Sequence, residues 1–318
     1  MAEPKTGRDL IWLVALGAAL WGTDALLRLP LAESLPATAI VVAEHLIVVV
    51  VLLPWMPAAV RAFRSMSAIE RWCVVAIGAG SSALATWLFT LAFAGGDPLT
   101  PLVLQKLQPL IAILAARLFL GERIRGRFWL FAVPALAGTW LVAFADPLHI
   151  QLKGAQAALL AVGAAALWAA GTVLGRRVSV AYAPTTVTSL RYAFGLPASL
   201  VIALVVGGPV GLSVGFSVGH LWSDLLGLVG LALIPGLLAL SLYYRGLSRT
   251  PAARATLAEL AFPLTAAVIG VVFLHGQFTV SQWIGAALVV GSVTALGWHE
   301  RSSAKPAVSP EPARELVG

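Results

Sequence analysis

The chain has 318 residues, of which 59% are hydrophobic and only 11% are charged. Soluble domains carry about 25% charged residues, so this sequence lacks the charge that a water-facing surface requires. The composition excludes a soluble globular protein and predicts an integral protein of a lipid bilayer. We relate the net charge of +7 to membrane topology and not to a nucleic-acid partner, because basic residues of membrane proteins concentrate on the cytoplasmic side.

Ten apolar segments follow one another along the chain, most of them close to the roughly 20 residues that a helix needs to cross a bilayer. They lie at 10–29, 38–53, 72–94, 99–120, 128–145, 155–174, 184–206, 224–244, 252–274 and 280–298. Ten such helices would use about 200 residues, which leaves no room for a large soluble domain. We therefore predict an all-α integral membrane protein with ten transmembrane helices.

The basic residues indicate the orientation of these helices. Lys5 and Arg8 precede the first segment, which has no clear signal-peptide cleavage site, so we expect it to remain as a membrane helix. Most basic residues fall in the tails and alternate connections: Lys5, Arg8, Arg61, Arg64, Arg71, Arg117, Arg123, Arg125, Arg127, Arg176, Arg177, Arg245, Arg249, Arg254, Arg301, Lys305 and Arg314. The opposite side holds only Arg28 and Lys153. The positive-inside rule then predicts a multi-pass protein of the inner (plasma) membrane with both termini in the cytoplasm.

The two halves of the sequence repeat each other. An Ala-Leu-Trp motif ends at Trp21 and again at Trp168, an offset of 147 residues, and Pro36 recurs as Pro184 at an offset of 148. Three later matches share an offset of 154: Pro109, Phe119 and Trp129 correspond to Pro263, Phe273 and Trp283. This repetition predicts one five-helix unit at 1–150, a second at 151–300, and a tail at 301–318 that we expect to be disordered.

An odd number of helices in each unit requires the second unit to enter the membrane from the opposite side. The loop at 121–127 has three arginines, whereas its counterpart at 275–281 has none, which agrees with that inversion. Inverted repeats can open a site near the middle of the membrane to each side in turn. This architecture favours a transporter that works by alternating access.

The order and duplication of these motifs resemble the EamA family of the drug/metabolite transporter superfamily. The shared marks are the two Ala-Leu-Trp openings, Arg191-Tyr192, Pro109 and Pro263, and Gly121-Glu122 after the fourth helix. The resemblance covers about residues 10–298 and, within the family, points toward the YddG-like amino-acid exporters. It implies a transporter and not an enzyme, with no cofactor.

The sequence departs from the family pattern at two places. Gly276-Gln277 stands where the family often has Gly-Glu, and Ala43-Glu44-His45 stands where an arginine is common. The second departure bears on the substrate, so a substrate cannot be carried over from relatives residue by residue.

Ionisable residues inside the predicted helices are the first candidates for a binding site. They are Asp24, Glu44, His45, Lys106, Arg191 and Glu259. A full charge at the centre of a membrane helix costs about 2.5 to 3.5 kcal/mol on insertion scales, so these groups should face the protein interior, water or one another. The repeat offsets predict pairing of Lys106 with Glu259, and of Glu44 or His45 with Arg191.

Two interpretations of these predicted pairs stay open. They are either structural ion pairs between the two units, or groups that separate to hold the ammonium and carboxylate of a substrate. With three acids against two bases, we expect a small zwitterionic or cationic substrate and disfavour a strongly anionic one. Amino acids are the favoured class, and cationic or aromatic drug-like compounds are the alternative.

Several neutral or locally paired residues complete the list of candidates. Asp24 and Arg28 are four residues apart, so they form either an ordinary helix pair near the outer end or part of a gate. The remaining candidates are Trp21, Trp87, Gln105, Gln108, Trp168 and Tyr192. For the three tryptophans, plain helix packing is the competing interpretation.

The stretch 78–83 matches the spacing of a dinucleotide-binding fingerprint. It lies inside an apolar helix, however, where small residues indicate close helix packing.

An integral-membrane enzyme is a remote alternative to a transporter, since no metalloprotease or serine-hydrolase motif is present. His149, His220 and His275 fall on the outer side, where a metal site is conceivable, but scattered loop histidines are usually solvated. We therefore predict no metal site, and the lone Cys73 excludes an internal disulfide.

Overall fold

The computed structural model describes residues 9–93, 107–122, 126–143, 155–207, 221–273 and 279–303, and every regular element in these ranges is a helix. The first half contains α1 (Ile11–Trp21), α2 (Asp24–Ser34), α3 (Ala37–Leu52), α4 (Met56–Ser65), α5 (Ala68–Val75), a π-helical segment π1 (Ala76–Leu84), α6 (Ala85–Phe93), α7 (Gln108–Leu120) and α8 (Trp129–Ala143). The second half contains α9 (Ala155–Ser179), α10 (Pro184–Gly207), α11 (Leu221–Leu231), π2 (Ala232–Leu238), α12 (Ala239–Leu247), α13 (Ala252–Ala258), α14 (Ala261–Phe273) and α15 (Val280–Ser303).

Many of these helices are long and apolar enough to cross a membrane. Six stretches meet that description: Ile11–Arg28, Ala37–Ser65, Ala68–Phe89, Ala158–Ser179, Pro184–Gly207 and Leu221–Leu247. Three shorter apolar helices accompany them: Gln108–Leu120, Gly126–Val142 and Val280–Leu296. The all-α, multi-pass membrane architecture is therefore confirmed, and the number of ten spans remains a prediction.

Several helices extend beyond the apolar segments that predicted them. The second predicted segment ended at residue 53, but the helix continues through a short 3₁₀ turn and α4 to Ser65. The third begins earlier than predicted, at Ala68, where the Ser67 hydroxyl and the Glu70 carboxylate form a capping box. Hydropathy identifies only the lipid-covered part of a helix, so it underestimates the length of helices that have polar ends.

Two of the predicted membrane helices are broken beside polar residues. The first is interrupted at Gly22 and Thr23, between α1 and α2. The ninth is interrupted at Glu259 and Leu260, between α13 and α14. Discontinuous membrane helices are typical of the substrate sites of secondary transporters.

The two π-helical segments occupy equivalent places in the two halves. The offset of 154 residues maps Ser81 and Ser82 of π1 onto Pro235 and Gly236 of π2. A π-helical turn widens the helix locally and occurs frequently at functional sites. Both segments line the cavity described below.

Seven tryptophans near the segment ends have exposed side chains, with exposed fractions between 42% and 75%. They are Trp12, Trp55, Trp72, Trp129, Trp222, Trp283 and Trp298. Exposure is what an interfacial aromatic belt requires, because the ring lies at the level of the lipid headgroups.

The helices α8 and α15 pack through a reciprocal pair of glycines. A Cβ placed on Gly138 would lie 2.6 Å from the carbonyl oxygen of Gly285, and a Cβ on Gly285 would lie 2.6 Å from that of Gly138. Only glycine lets the two backbones approach this closely, as in other small-residue contacts between membrane helices.

We therefore expect Gly285→Ala to lower the free energy of unfolding by about 1 to 3 kcal/mol, because the new methyl group meets a backbone atom that cannot rotate away. Gly291→Ala on the same helix is the control, since nothing lies within 4 Å of its added Cβ. Thermal midpoints in detergent, at matched protein and detergent concentrations, measure both variants. Equal midpoints for the two variants would contradict the close contact.

Candidate functional site

One cavity of about 340 Å³ is lined by helices of both halves. Nine of the twelve residues predicted as site candidates line it: Trp21, Asp24, Glu44, His45, Gln108, Trp168, Arg191, Tyr192 and Glu259. The residues that flank the first helix break, those of the second break, and residues of both π-helical segments line the same cavity. The cavity therefore collects residues that are far apart in sequence and that the repeat pattern relates to one another.

Three charged groups form a cluster on one wall of the cavity. Arg28 donates from Nε to Asp24 Oδ2 at 2.6 Å and from Nη2 to Asp24 Oδ1 at 2.7 Å, a bidentate pair within α2. The same Nη2 also donates to Glu44 Oε2 of α3 at 3.1 Å. One guanidinium thus serves two carboxylates, and the three groups together carry one negative charge when all are ionised.

A chain of hydrogen bonds connects His45, Ser82, Arg191 and Tyr244. His45 Nδ1 lies 2.8 Å from the Val41 carbonyl oxygen, which can only accept, so Nδ1 carries a proton. In the neutral tautomer that this contact selects, Nε2 accepts from the Ser82 hydroxyl at 3.0 Å. Ser82 Oγ in turn accepts from Arg191 Nε at 3.3 Å, and Tyr244 Oη accepts from Arg191 Nη1 at 3.0 Å.

Glu259 lies at the break between α13 and α14, and its partners are neutral donors. Oε1 accepts from Tyr243 Oη at 2.7 Å and from Thr172 Oγ1 at 2.9 Å, and Oε2 accepts from Gln108 Nε2 at 3.1 Å. Within the part of the chain that the structure describes, no Lys, Arg or His lies within ion-pair distance of this carboxylate. Only 9% of Glu259 is exposed, and its carboxylate is surrounded by these hydroxyl and amide donors and by the cavity.

Aromatic rings cover much of the remaining wall. The Trp21 and Tyr243 ring centroids are 5.0 Å apart, and those of Phe89 and Trp168 are 5.1 Å apart. Trp21 and Trp168 are the repeat-related tryptophans, so each half supplies one indole to the site. Such surfaces suit an apolar side chain or the flat face of a cation.

Three sequence-predicted candidates do not line the cavity as the structure describes it. Trp87 lies in a separate small pocket with Thr38, Val41 and Ser199, and only Val41 belongs to both pockets. Gln105 and Lys106 fall outside the described residues, so the predicted Lys106–Glu259 pair is untested. His149, His220 and His275 also fall outside them.

The predicted pairing of Glu44 with Arg191 was wrong, because Glu44 has a nearer cation. Arg28 was assigned to the outer loop, yet α2 carries it into the cavity, where it contacts Glu44. His45 does not bond Arg191 directly either, and the two share Ser82. The predicted helix pair of Asp24 and Arg28 is present and is part of this larger cluster.

The sequence analysis missed the four hydroxyl-bearing residues that hydrogen-bond Arg191 or Glu259: Ser82, Thr172, Tyr243 and Tyr244. Ser82 lies in the 78–83 stretch, whose predicted close packing is present: a Cβ on Gly78 would lie 2.6 Å from the Arg191 carbonyl oxygen. That stretch also presents both serines to the cavity. The Tyr-Tyr pair in an otherwise apolar helix was the available signal, because a buried phenol needs a polar partner.

Across the described ranges, no three His, Cys, Asp or Glu side chains are grouped closely enough to hold a metal ion. The site therefore offers charges, hydroxyls and aromatic faces as its binding groups. Such a set can recognise the charged groups of a small molecule.

The chain is similar in sequence to two proteins named as transporters and in fold to a solved structure. The riboflavin transporter ImpX of Fusobacterium nucleatum is 28% identical over 290 residues, which cover 88% of this chain and 95% of ImpX. The uncharacterized transporter YwfM of Bacillus subtilis is 30% identical over 186 residues, or 57% of this chain, and the match spans only 58% of YwfM. A solved crystal structure matches the fold with a TM-score of 0.72 at 22% identity, covering 92% of this chain and all of that one.

The family assignment rests on both halves of the chain. The family model described as the EamA-like transporter family matches residues 10–144 and, a second time, residues 155–298. This confirms the resemblance drawn from the duplicated motifs, and members of the family are transporters. The chain belongs to the EamA-like transporter family.

Proposed function

We propose that this protein is an inner-membrane carrier that exports small zwitterionic or cationic metabolites, with amino acids as the favoured class. The observation that carries the proposal is the cavity between the two halves, which combines Arg191 with the carboxylate of Glu259 and aromatic walls. A zwitterion needs one group of each sign, and both are present. Family membership supports transport as the activity.

The mechanism we infer is alternating access by two inverted five-helix units, with ten membrane helices and both termini in the cytoplasm. Three features support it. The family model matches once in each half, and the π-helical segments are repeat-related. The residues Trp21 and Asp24, which flank the first helix break, and Glu259, which lies at the second, line the cavity. In this mechanism the units rock around the cavity, which opens first to one side of the membrane and then to the other.

The charges of the described site disfavour a strongly anionic substrate. Three carboxylates, Asp24, Glu44 and Glu259, face two guanidinium groups, Arg28 and Arg191. A zwitterion leaves this balance unchanged, and a cation moves it toward neutrality. A nucleotide-sized polyanion would add several like charges to a buried site, where they are costly.

A second candidate class is flat aromatic compounds. Two observations favour it: Trp21, Phe89, Trp168 and Tyr243 line the cavity, and one relative is named as a riboflavin transporter. Stacking between aromatic rings would then supply much of the binding energy.

Proteoliposomes that contain the purified protein test the proposal. Radiolabelled amino acids, amino-acid amides, an organic cation and riboflavin are loaded separately, with and without a pH gradient across the membrane. We expect saturable flux of at least one zwitterionic or cationic compound that empty liposomes lack. Flux of riboflavin alone would favour the second class, and the absence of specific flux for every compound would overturn the proposal.

A further inference from the structure

Arg191 differs from the other arginine of the cavity in the partners it has. Arg28 is held by two carboxylates, whereas the partners of Arg191 are two hydroxyl groups, on Ser82 and Tyr244. Among the ion pairs of the described residues, none includes Arg191. A guanidinium carries five N–H donors, so three of them have no hydrogen-bond acceptor in the described residues.

The two hydroxyl partners hold the guanidinium in one orientation. Because the Ser82 hydroxyl donates its hydrogen bond to His45 Nε2, the Ser82 oxygen is left to accept from Arg191 Nε. His45 itself is fixed by Val41 and by Gly195, where an added Cβ would lie 2.7 Å from the imidazole ring. The donor edge of the arginine is therefore positioned before any ligand arrives, which lowers the entropic cost of binding.

The position of Tyr244 relates this cation to the Glu259 carboxylate, which lines the same cavity. Tyr243 and Tyr244 are consecutive residues of α12 with ring centroids 5.4 Å apart. Tyr244 bonds Arg191, and Tyr243 bonds Glu259. One short stretch of helix thus supports a cationic and an anionic group that border the same cavity.

We propose that Arg191 binds the carboxylate of the transported molecule, with Ser82 and Tyr244 as positioning residues, while Glu259 faces its ammonium group. The assignment rests on the proposed transport function and narrows the substrate class to α-amino acids and similar zwitterions. A carboxylate that accepts two parallel N–H bonds from a guanidinium gains both strength and orientation. A cation without a carboxylate would leave the free edge of Arg191 unpaired.

An amino acid and its amide test this assignment, because both carry the ammonium group and only the acid carries the carboxylate. We expect the wild-type protein to transport the acid with a KM about 10 to 100 times lower than that of the amide. Arg191→Gln should remove this preference by weakening the acid alone, and Ser82→Ala should reduce it about threefold without removing it. Arg64→Gln, which removes an exposed arginine outside the cavity, is the control.

Two results would overturn the carboxylate site: equal KM values for acid and amide in the wild type, or an equal loss of both in folded Arg191→Gln. Thermal stabilisation in detergent by the same acid and amide separates this test from the transport proposal, because it needs no flux. Stabilisation by the acid alone supports the site even where proteoliposomes show no transport. Equal stabilisation by both compounds counts against it.

A second inference rests on separate contacts, at the end of the molecule predicted to face the cytoplasm. Glu122 accepts from the backbone N–H groups of Ala252 at 2.8 Å and Ala253 at 3.1 Å, at the start of α13. Asp9 accepts from Thr250 Oγ1 at 2.7 Å and pairs with Arg254 Nη1 at 2.8 Å. Two acids of the first half thus hold the beginning of a helix of the second half.

The end of α7 positions the Glu122 side chain for this contact. Gly121 ends α7 with a positive φ of 66°, a left-handed conformation that glycine adopts at little cost. The Glu122 N–H then bonds the Ala116 carbonyl oxygen and closes the helix end. Because α13 runs from Ala252 to Ala258 and is followed directly by Glu259, the contact lies one short helix away from the cavity.

We propose that Asp9 and Glu122 form a clasp that closes the cavity at this end and must release for the cavity to open there. The clasp assumes the alternating access proposed above. At the repeat offsets of 147 and 154 residues, the counterparts of Asp9 and Glu122 are Gln156 and Gly276, which carry no charge. A charged clasp on one face only would favour the state that is closed on that face.

Thiol labelling tests the clasp. A Phe262→Cys reporter in the cavity wall, in a Cys73→Ala background, is labelled with an impermeant maleimide in inside-out vesicles. We expect Glu122→Ala and Asp9→Asn each to raise the labelling rate about tenfold, and labelling in right-side-out vesicles to fall. Arg71→Ala is the control, because this arginine donates to the Phe63 and Arg64 carbonyls within the first half.

Unchanged labelling rates in a folded Glu122→Ala protein would overturn the clasp. If Glu122→Ala reduces the yield of folded protein, Glu122→Gln replaces it, since the amide keeps one acceptor oxygen for the N–H groups of α13. A smaller rise in labelling with Glu122→Gln supports the clasp, and no rise overturns it.

Discussion

Glu259→Gln will lower the flux of a zwitterionic or cationic substrate by about 10- to 100-fold while the protein remains folded. A charge-assisted hydrogen bond contributes about 1.5 to 3 kcal/mol, and each 1.4 kcal/mol corresponds to a factor of ten. The amide keeps an oxygen for Tyr243 and Thr172, which both bond Oε1, so the local structure has its acceptor. Gln108 can rotate its own amide to present oxygen to the new NH₂ group. The loss is then one of charge and not of packing.

Initial rates in proteoliposomes over a range of substrate concentrations measure this effect. An increase in KM indicates that Glu259 binds the substrate ammonium. If Glu259→Gln instead abolishes substrate accumulation driven by a pH gradient but retains substrate exchange, Glu259 binds the coupled proton.

The matched control is Asp224→Asn, because Asp224 is also buried in a helix but does not line the cavity. It undergoes the same chemical change, and its flux should stay within about twofold of the wild type. Equal losses in the two variants would mean that buried charge supports the fold and not the substrate. That outcome would favour the structural interpretation of the intramembrane acids.

The helical architecture was predictable because its cause is local in sequence. A run of apolar residues specifies a membrane helix, and the duplicated motifs around Trp21 and Trp168 specify two related units. Hydropathy cannot show where a helix breaks, since Gly22, Thr23 and Leu260 all occur inside ordinary membrane helices. At the second break, Glu259 bonds Gln108 of the first half and Thr172 and Tyr243 of the second, and these contacts exist only in the folded chain.

The charged candidates were predictable for a related reason. An ionisable residue in an apolar run must face the interior, so Asp24, Glu44, Arg191 and Glu259 could be selected before their surroundings were known. Their partners could not, because pairing depends on how the helices rotate and cross. The repeat alignment placed Arg191 opposite Glu44 and had no means of showing that Arg28 reaches Glu44 first.

Arg28→Met will lower the free energy of unfolding by several kcal/mol. It removes the cation that serves both Asp24 and Glu44 and leaves two carboxylates beside each other in a partly buried site. Removing one partner of a buried ion pair costs about 3 to 5 kcal/mol. We expect a value near the lower figure, because 28% of the Arg28 side chain and 30% of the Asp24 side chain are exposed.

The same reasoning predicts a rescue that separates charge from packing. Combining Arg28→Met with Asp24→Asn and Glu44→Gln removes all three charges, so the uncompensated repulsion disappears although the salt bridges are lost. Thermal midpoints and the fraction of monodisperse protein in detergent should recover most of the way to the wild type. Arg64→Met, which removes an exposed arginine at the end of α4, should leave both quantities unchanged. The triple variant could instead be no more stable than Arg28→Met. That result would show that the arginine stabilises the fold through the packing of its long side chain, and that repulsion between the two acids is not the cause of the loss.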